Sequence, residues 1–197
     1  MRRRVALLFC LGLAACGTTQ TNLAYAPASP PVVQPMARPV VVVTQVTDRR
    51  EEGQRDPREV GAVRDESRRP VKRLETPVPV TEVVRQAFTD ALQARGLLAP
   101  NAEWARYGLE VDIFALNLDQ YSRRGATAEF RITLRPIPGG APVLVDQERA
   151  AFVSGDVILP TTGVFTSTEA LRQITQQAMS EAIDRLLDKA SFTAMLQ

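Results

Sequence analysis

Apolar positions keep a regular period over several stretches between residues 39 and 192 and lose it elsewhere. Val40-Val41-Val42-Val43-Thr44-Gln45-Val46 is β-branched and nearly continuously apolar, which predicts a first strand covered on both faces or lying inside a sheet. Val84, Ala87, Phe88, Ala91 and Leu92 recur at helical spacing between Thr81, a suitable N-cap, and Gly96, well placed as the left-handed residue that ends a helix. Three strands follow. In 107–119 the odd positions Tyr107, Leu109, Val111, Ile113 and Ala115 share a face, and in 127–135 the even positions Ala128, Phe130, Ile132 and Leu134 do. A symmetric turn at Ser122-Arg123-Arg124-Gly125 pairs Ile113 with Leu134 and Ala115 with Ile132, and it sets Asp112 opposite Arg135. Gly139-Gly140 marks a second turn into Val143–Ser154, where Gln147 and Arg149 interrupt the apolar positions and suggest a bulge. Thr166-Ser167-Thr168-Glu169 is a capping box, and Leu171, Ile174, Ala178, Ala182, Ile183, Leu186 and Ala190 then keep one apolar face. The expectation is an α+β domain: a four-stranded, mostly antiparallel sheet with two amphipathic helices on one face, in the order β-α-β-β-β-α.

Two stretches lack this periodicity. Residues 48–76 are crowded with both charges, and a connection of that length is functional, mobile or locally structured; Gly61, between Val60 and Val63, marks a short extra strand or a turn. Gly17–Pro39 holds Pro27, Pro30, Pro31, Pro35 and Pro39 among small and polar residues, the composition of an extended spacer, with Tyr25 and Val32-Val33 as the one candidate recognition segment.

The first sixteen residues are of another kind. Arg2, Arg3 and Arg4 precede an apolar run from Val5 to Ala15, too short for a hydrocarbon core that needs about 20 residues. The run ends in Leu13-Ala14-Ala15-Cys16, which resembles the bacterial lipobox. The resemblance implies cleavage before Cys16 and acylation of its thiol and amino group. Gly17, in place of an aspartate, resembles the pattern sorted to the outer membrane rather than kept in the inner one. The organisation expected is therefore a signal peptide over 1–15, a lipidated and disordered Pro-rich linker over 16–38, and one periplasmic α+β domain over 39–197.

Removing the signal alters the charge balance. Residues 1–15 hold three of the 24 basic residues and none of the 22 acidic ones, which leaves 21 against 22. Near neutrality argues against a nucleic-acid binder and against strong steering toward anionic headgroups. Cys10 leaves with the signal, so the mature chain has no internal disulfide. Histidine is absent, which excludes a Ser/His/Asp or Cys/His nucleophilic site and any zinc site built on imidazole. No glycine-rich phosphate loop, nucleophile elbow or calcium loop occurs. The chain is read as a noncatalytic protein without cofactor or metal.

The order of elements and several short motifs resemble the YajG-like family of Gram-negative lipoproteins. They are the lipobox at Cys16, Asp48 and Arg50 after a valine-rich strand, Gly61 after a charged gap, Arg95-Gly96-Leu97 closing the first helix, and Leu186-Leu187-Asp188 in the last. The first loop here is longer and richer in arginine. The resemblance implies an α+β periplasmic domain and transfers no catalytic residues. Two functions are compatible with the sequence. One is a binding or scaffolding module that contacts an envelope protein or a cell-wall component through Phe114, Leu116 and Leu118, three apolar residues that alternate onto the polar face of the sheet unless the charged loop or 156–165 covers them. The other is a transport-accessory or lipopolysaccharide-handling protein with a cavity between helices and sheet, for which Ala87, Ala91, Ala178 and Ala182 would leave room. Native protein should give an intact mass that starts at an acylated Cys16; an unmodified thiol or a chain beginning at Met1 contradicts the lipobox reading.

Overall fold

A computed structural model describes residues 17–31, 39–65, 67–120, 124–153 and 168–196. Its sheet is organised around β5 (Tyr107–Gln120), whose two edges carry different loads. On one edge β6 (Arg124–Pro136) runs antiparallel along its full length, followed by β7 (Leu144–Val153). The other edge is divided. β2 (Val41–Asp48) pairs in parallel with the first half of β5, from Val41 opposite Tyr107 to Asp48 opposite Ile113. The helical turn α1 (Glu51–Arg55) then leads into β3 (Glu59–Arg64), which pairs in parallel with Leu118 to Gln120. β4 (Pro70–Glu75) returns antiparallel to β3, and β1 (Gly17–Gln20) lies parallel on β4. The result is a seven-stranded mixed sheet in the order β1-β4-β3-β5-β6-β7, with β2 also on β5.

The helices α2 (Val80–Ala94) and α3 (Thr168–Leu187) lie over this sheet, α2 against β2 and α3 against β6 and β7, with the short α4 (Ala190–Met195) burying Phe192. Both long helices contribute to a single core. Val84, Ala87, Phe88, Ala91 and Leu92 of α2 and Leu171, Ala178, Ala182, Ile183 and Leu186 of α3 are buried as their spacing implies, and Phe88 meets Phe130 edge to face at 5.6 Å. Helix α2 starts one residue before Thr81, with Pro79 at the N-cap position and no side-chain cap. Gly96, at φ 69°, ends it as expected. Of the capping box only Thr168 and Glu169 fall within the described residues.

The expected four-stranded, mostly antiparallel sheet with two helices is overturned: among the described residues the sheet has seven strands, is mixed, and is accompanied by four helices. Most of the difference lies in residues 48–76, which form α1, β3 and β4. Their share of the core is Val60, Ala62, Val63 and Leu74, too few and too scattered among charges to set a period. Strand β1 reads Gly-Thr-Thr-Gln and carries no apolar signal, because its pairing is made by backbone at a sheet edge.

The β5–β6 hairpin forms in a different register from the symmetric one. Ile113 pairs with Phe130 and Asp112 with Arg131, while Arg135 stands opposite Gly108 and reaches Glu110 at 2.9 Å. The bulge lies in β5, between Ile113 and Ala115; β6 and β7 pair without a break. In β7 the core-facing set is Leu144, Ala150 and Phe152, and Gln147 and Arg149 lie on the other face without a bulge. Asp146 and Glu148 share that face, and Lys189 satisfies both at 2.7 and 2.5 Å, which is why the alternation reads poorly.

Gly61 marks the place where β3 comes closest to β5. It has φ 144°, and a Cβ there would lie 2.0 Å from the Leu118 carbonyl oxygen. Gly61→Ala should therefore cost about 3 kcal/mol, combining left-handed strain with a backbone clash; chemical denaturation would show it as a lowered midpoint.

Candidate functional site

The apolar residues proposed as a contact patch do not form one. Leu116 and Leu118 are 0% and 2% exposed and belong to the core, and Phe114 is half-buried under the Arg131 guanidinium, 4.7 Å from its ring centroid. The bulge after Ile113 is the physical reason. It reverses the parity of β5, so the odd positions Leu109, Val111 and Ile113 face the helices before it and the even positions Leu116 and Leu118 face them after it. On the opposite face a polar ladder crosses the sheet: Arg49 pairs with Asp112 at 3.0 Å, Arg131 donates to Gln147, and Gln147 donates to Glu129.

The N-terminal segment is the part of the molecule most altered by folding. Cys16 and the lipobox residues Leu13, Ala14 and Ala15 lie outside the described residues, but Gly17 is already the first residue of β1. Thr21 continues the pairing by donating its N–H to the Glu75 carbonyl, and Leu23 and Tyr25 pack against the core. Ala26 donates its N–H to the Ser180 hydroxyl on α3. Residues 17–26 are therefore built into the fold, and the expectation of a spacer does not hold for them. A polar cleft of about 320 Å³ lies where this segment passes the start of α3, lined by Gln20, Thr21, Asn22, Thr168, Glu169 and Arg172.

Tyr25 completes a half-buried cluster around the buried Arg95. Arg95, just past the end of α2 and 3% exposed, donates Nε and Nη2 to the two carboxylate oxygens of Asp188 at 2.7 and 2.8 Å. Its Nη2 also reaches Asp184 at 2.7 Å, and Nη1 donates to the Tyr25 hydroxyl and the Ala91 carbonyl, both at 3.0 Å. The Tyr25 hydroxyl in turn donates to Asp184 at 2.5 Å. Burial works against the Arg95 charge, and the hydrogen bonds from Asp188, Asp184 and Tyr25 outweigh it, so the guanidinium stays protonated. Burial and the bond to Asp184 push the Tyr25 hydroxyl up to about 12.

A second arginine does the same work at the divided edge of β5. Arg50 is buried, pairs with Asp48 through Nη2 at 2.7 Å, and donates Nη1 to the carbonyls of Glu59 and Leu116, both at 2.9 Å. Asp48 and Arg50 thus close the junction where β2 hands over to β3, and Arg95 and Asp188 join α2 to α3. These are residues of the motifs noted in the sequence, and each makes an internal bond. Among the described residues, no group of three potential metal ligands comes together, and no helix is long and apolar enough to cross a membrane.

Exposed apolar side chains occur at the end of the sheet where β5 begins, and also at Val145 and Val153 of β7, at Val78 and at Met195. Trp104, the sole tryptophan, is 71% exposed in the turn before β5, and Ile137 and Val143 are exposed in the β6–β7 connection. Arg106 and Ile137 join the two loops by a backbone bond of 2.9 Å. Nothing in the apolar period singled out Trp104; a lone tryptophan in the polar stretch Asn101-Ala102-Glu103-Trp104 was the available signal.

No family model matches this chain, and no curated protein matches it in sequence. Its fold is shared with solved structures. A DUF330 protein from Xanthomonas campestris superposes with a TM-score of 0.58 at 17% identity, covering 90% of this chain and 96% of that one. An uncharacterized protein superposes with a TM-score of 0.51 at 9% identity, covering 83% and 96%. Lipoprotein GNA1162 from Neisseria meningitidis aligns much more loosely, with a TM-score of 0.28 at 12% identity over 72% of this chain and 99% of that one.

The Tyr25 cluster has a pH signature. A tyrosine whose hydroxyl titrates near 12 in the folded state and near 10 when unfolded holds its proton more tightly when folded. Its contribution is complete below pH 10 and is lost as the pH rises toward 12. Melting temperatures of the wild type should fall over that interval more steeply than those of Tyr25→Phe, which has no proton to lose; parallel curves would contradict the assignment.

Proposed function

We propose that this chain is a noncatalytic envelope lipoprotein, acylated at Cys16 on the periplasmic leaflet of the outer membrane, that binds an envelope protein or a cell-wall component. The single observation that supports it most is continuity: the residue after the lipobox cysteine is the first residue of a strand, so the anchor and the folded domain are adjacent. Gly17 rather than aspartate favours the outer membrane. The YajG-like motifs are compatible with the reading, and so is the fold, which a DUF330 protein shares.

The surface proposed for a partner is the end that carries Trp104, the most exposed of the described large apolar residues, with Ile137 and Val143. Strand β5 has 14 residues, which at about 3.3 Å each span roughly 45 Å. That end is therefore well separated from the end where Gln120 pairs with Val63. An exposed tryptophan beside apolar neighbours is the composition of a contact centre rather than of a solvated loop.

The transport-accessory and lipid-handling reading requires room between helices and sheet. Ala87, Ala91, Ala178 and Ala182 are buried, and Leu23 and Tyr25 pack against the same core. A co-purifying lipid in native mass spectrometry of the mature protein would favour that reading instead. The binding reading predicts that a photo-crosslinker placed at Trp104 in living cells forms a discrete adduct, whereas one placed at the exposed Asn117 on the opposite part of β5 does not. Equal labelling from both positions, or none from Trp104, overturns it.

A further inference from the structure

We propose that the β3–β4 hairpin is a second membrane contact, one that docks on the headgroups of an anionic phospholipid leaflet and sets the orientation of the domain. This inference rests on acylation of Cys16. Strand β1 pairs with β4 so that Gly17 stands level with Lys72 and Thr18 with Arg73. From Lys72 the hairpin continues through Val71 and Pro70 to its turn at Asp65, Ser67, Arg68 and Arg69, toward the side from which the chain enters β1. At about 3.3 Å per residue, the two steps from Lys72 to Pro70 place the tip roughly 7 Å beyond the level of Gly17. A headgroup layer is about 5–8 Å thick on each side of the hydrocarbon core. An acyl chain seated in the leaflet therefore brings the tip to the depth of the phosphates.

The chemistry of the hairpin suits that depth. Residues 64–73 carry Arg64, Arg68, Arg69, Lys72 and Arg73 against Asp65 and Glu66. Asp65 is committed to the turn, where its carboxylate accepts the N–H groups of Ser67 and Arg69, both at 2.9 Å. Arg64 braces the turn by donating to the Arg68 carbonyl at 3.2 Å and to Asp119 at 3.1 Å. Ser67, Arg68, Arg69 and Pro70 are exposed, and no carboxylate among the described residues forms an ion pair with Arg69 or Lys72. Arg64 pairs with Asp119 and Arg73 with Glu59 at 3.8 Å, so Arg69 and Lys72 carry the charge that fits a phosphate surface better than an apolar partner. Each cation held near an anionic leaflet strengthens binding on the order of fivefold.

The test uses full-length lipidated protein carrying Ser67→Cys, or Ala141→Cys at the far end of the sheet, labelled with an environment-sensitive fluorophore and reconstituted on vesicles. The vesicles are phosphatidylcholine alone or mixed with phosphatidylglycerol, each with a headgroup-attached quencher. The label at position 67 should be quenched in the anionic vesicles far more than the label at 141. The difference should shrink in neutral vesicles, in high salt and in Arg69→Glu/Lys72→Glu. Protein that floats with the vesicles but shows equal quenching at 67 and 141 overturns the docking while leaving the anchor intact. Equal quenching in neutral and anionic vesicles overturns headgroup recognition. Protein that does not float at all overturns the anchor, and the docking with it.

Discussion

Strand β5 must serve three neighbours with two edges, and the rest of the architecture follows from how it does so. One edge is given wholly to β6, and the other is shared in succession by β2 and β3. A flat strand of 14 residues could not keep its apolar side chains on one face through such a junction, because twist accumulates along it. The bulge between Ile113 and Ala115 absorbs the change. It turns the second half of the strand by one position, so Leu116 and Leu118 enter the same core that Leu109, Val111 and Ile113 occupy. Arg50, two residues past β2, spans the junction by donating to the Glu59 carbonyl of β3 and the Leu116 carbonyl of β5.

Two buried arginines hold the pieces in relation. A buried guanidinium is tolerable only where every donor finds a partner, and a truncated pair leaves an uncompensated charge. Every side-chain nitrogen of both finds an acceptor: Arg50 has the Asp48 carboxylate and two carbonyls, and Arg95 has the carboxylates of Asp184 and Asp188, the Tyr25 hydroxyl and the Ala91 carbonyl. Such clusters specify geometry more than they add stability. Arg95 draws the ends of α2 and α3 together and captures Tyr25, and through Tyr25 it fixes the path of the N-terminal segment along α3. The segment that looked like a tether becomes part of the interface between two helices, and whatever is attached at its start is held at a defined corner of the sheet.

That corner gives the molecule a polarity its composition conceals. Residues 16–197 carry 21 basic against 22 acidic residues, yet five cations gather in residues 64–73 beside β1, with Arg64 paired to Asp119 and Arg73 to Glu59. The long axis of the sheet separates this basic corner from the exposed Trp104, Ile137 and Val143.

The amino-acid sequence by itself determined the elements whose apolar period runs long enough to be read. Valines in β2, the stripe of α2 with Gly96 at its end, the alternation of β6 and the face of α3 all report burial against one core. It also determined the lipobox resemblance and the lack of imidazole chemistry, since both depend on residue identity alone. The tertiary structure decided the rest. Strand β1 exists because an edge of β4 offers backbone groups to pair with, a cause that leaves no trace in Gly-Thr-Thr-Gln. The hairpin register and the bulge were settled by which residues of β5 also had to meet β2 and β3, so Leu116 and Leu118 moved from an expected surface patch into the core. Tyr25 acquired its role only when residues far apart in the chain, Arg95 and Asp184, arrived at the same place. Local period can state that a face is buried; what buries it is a matter of contacts between distant segments.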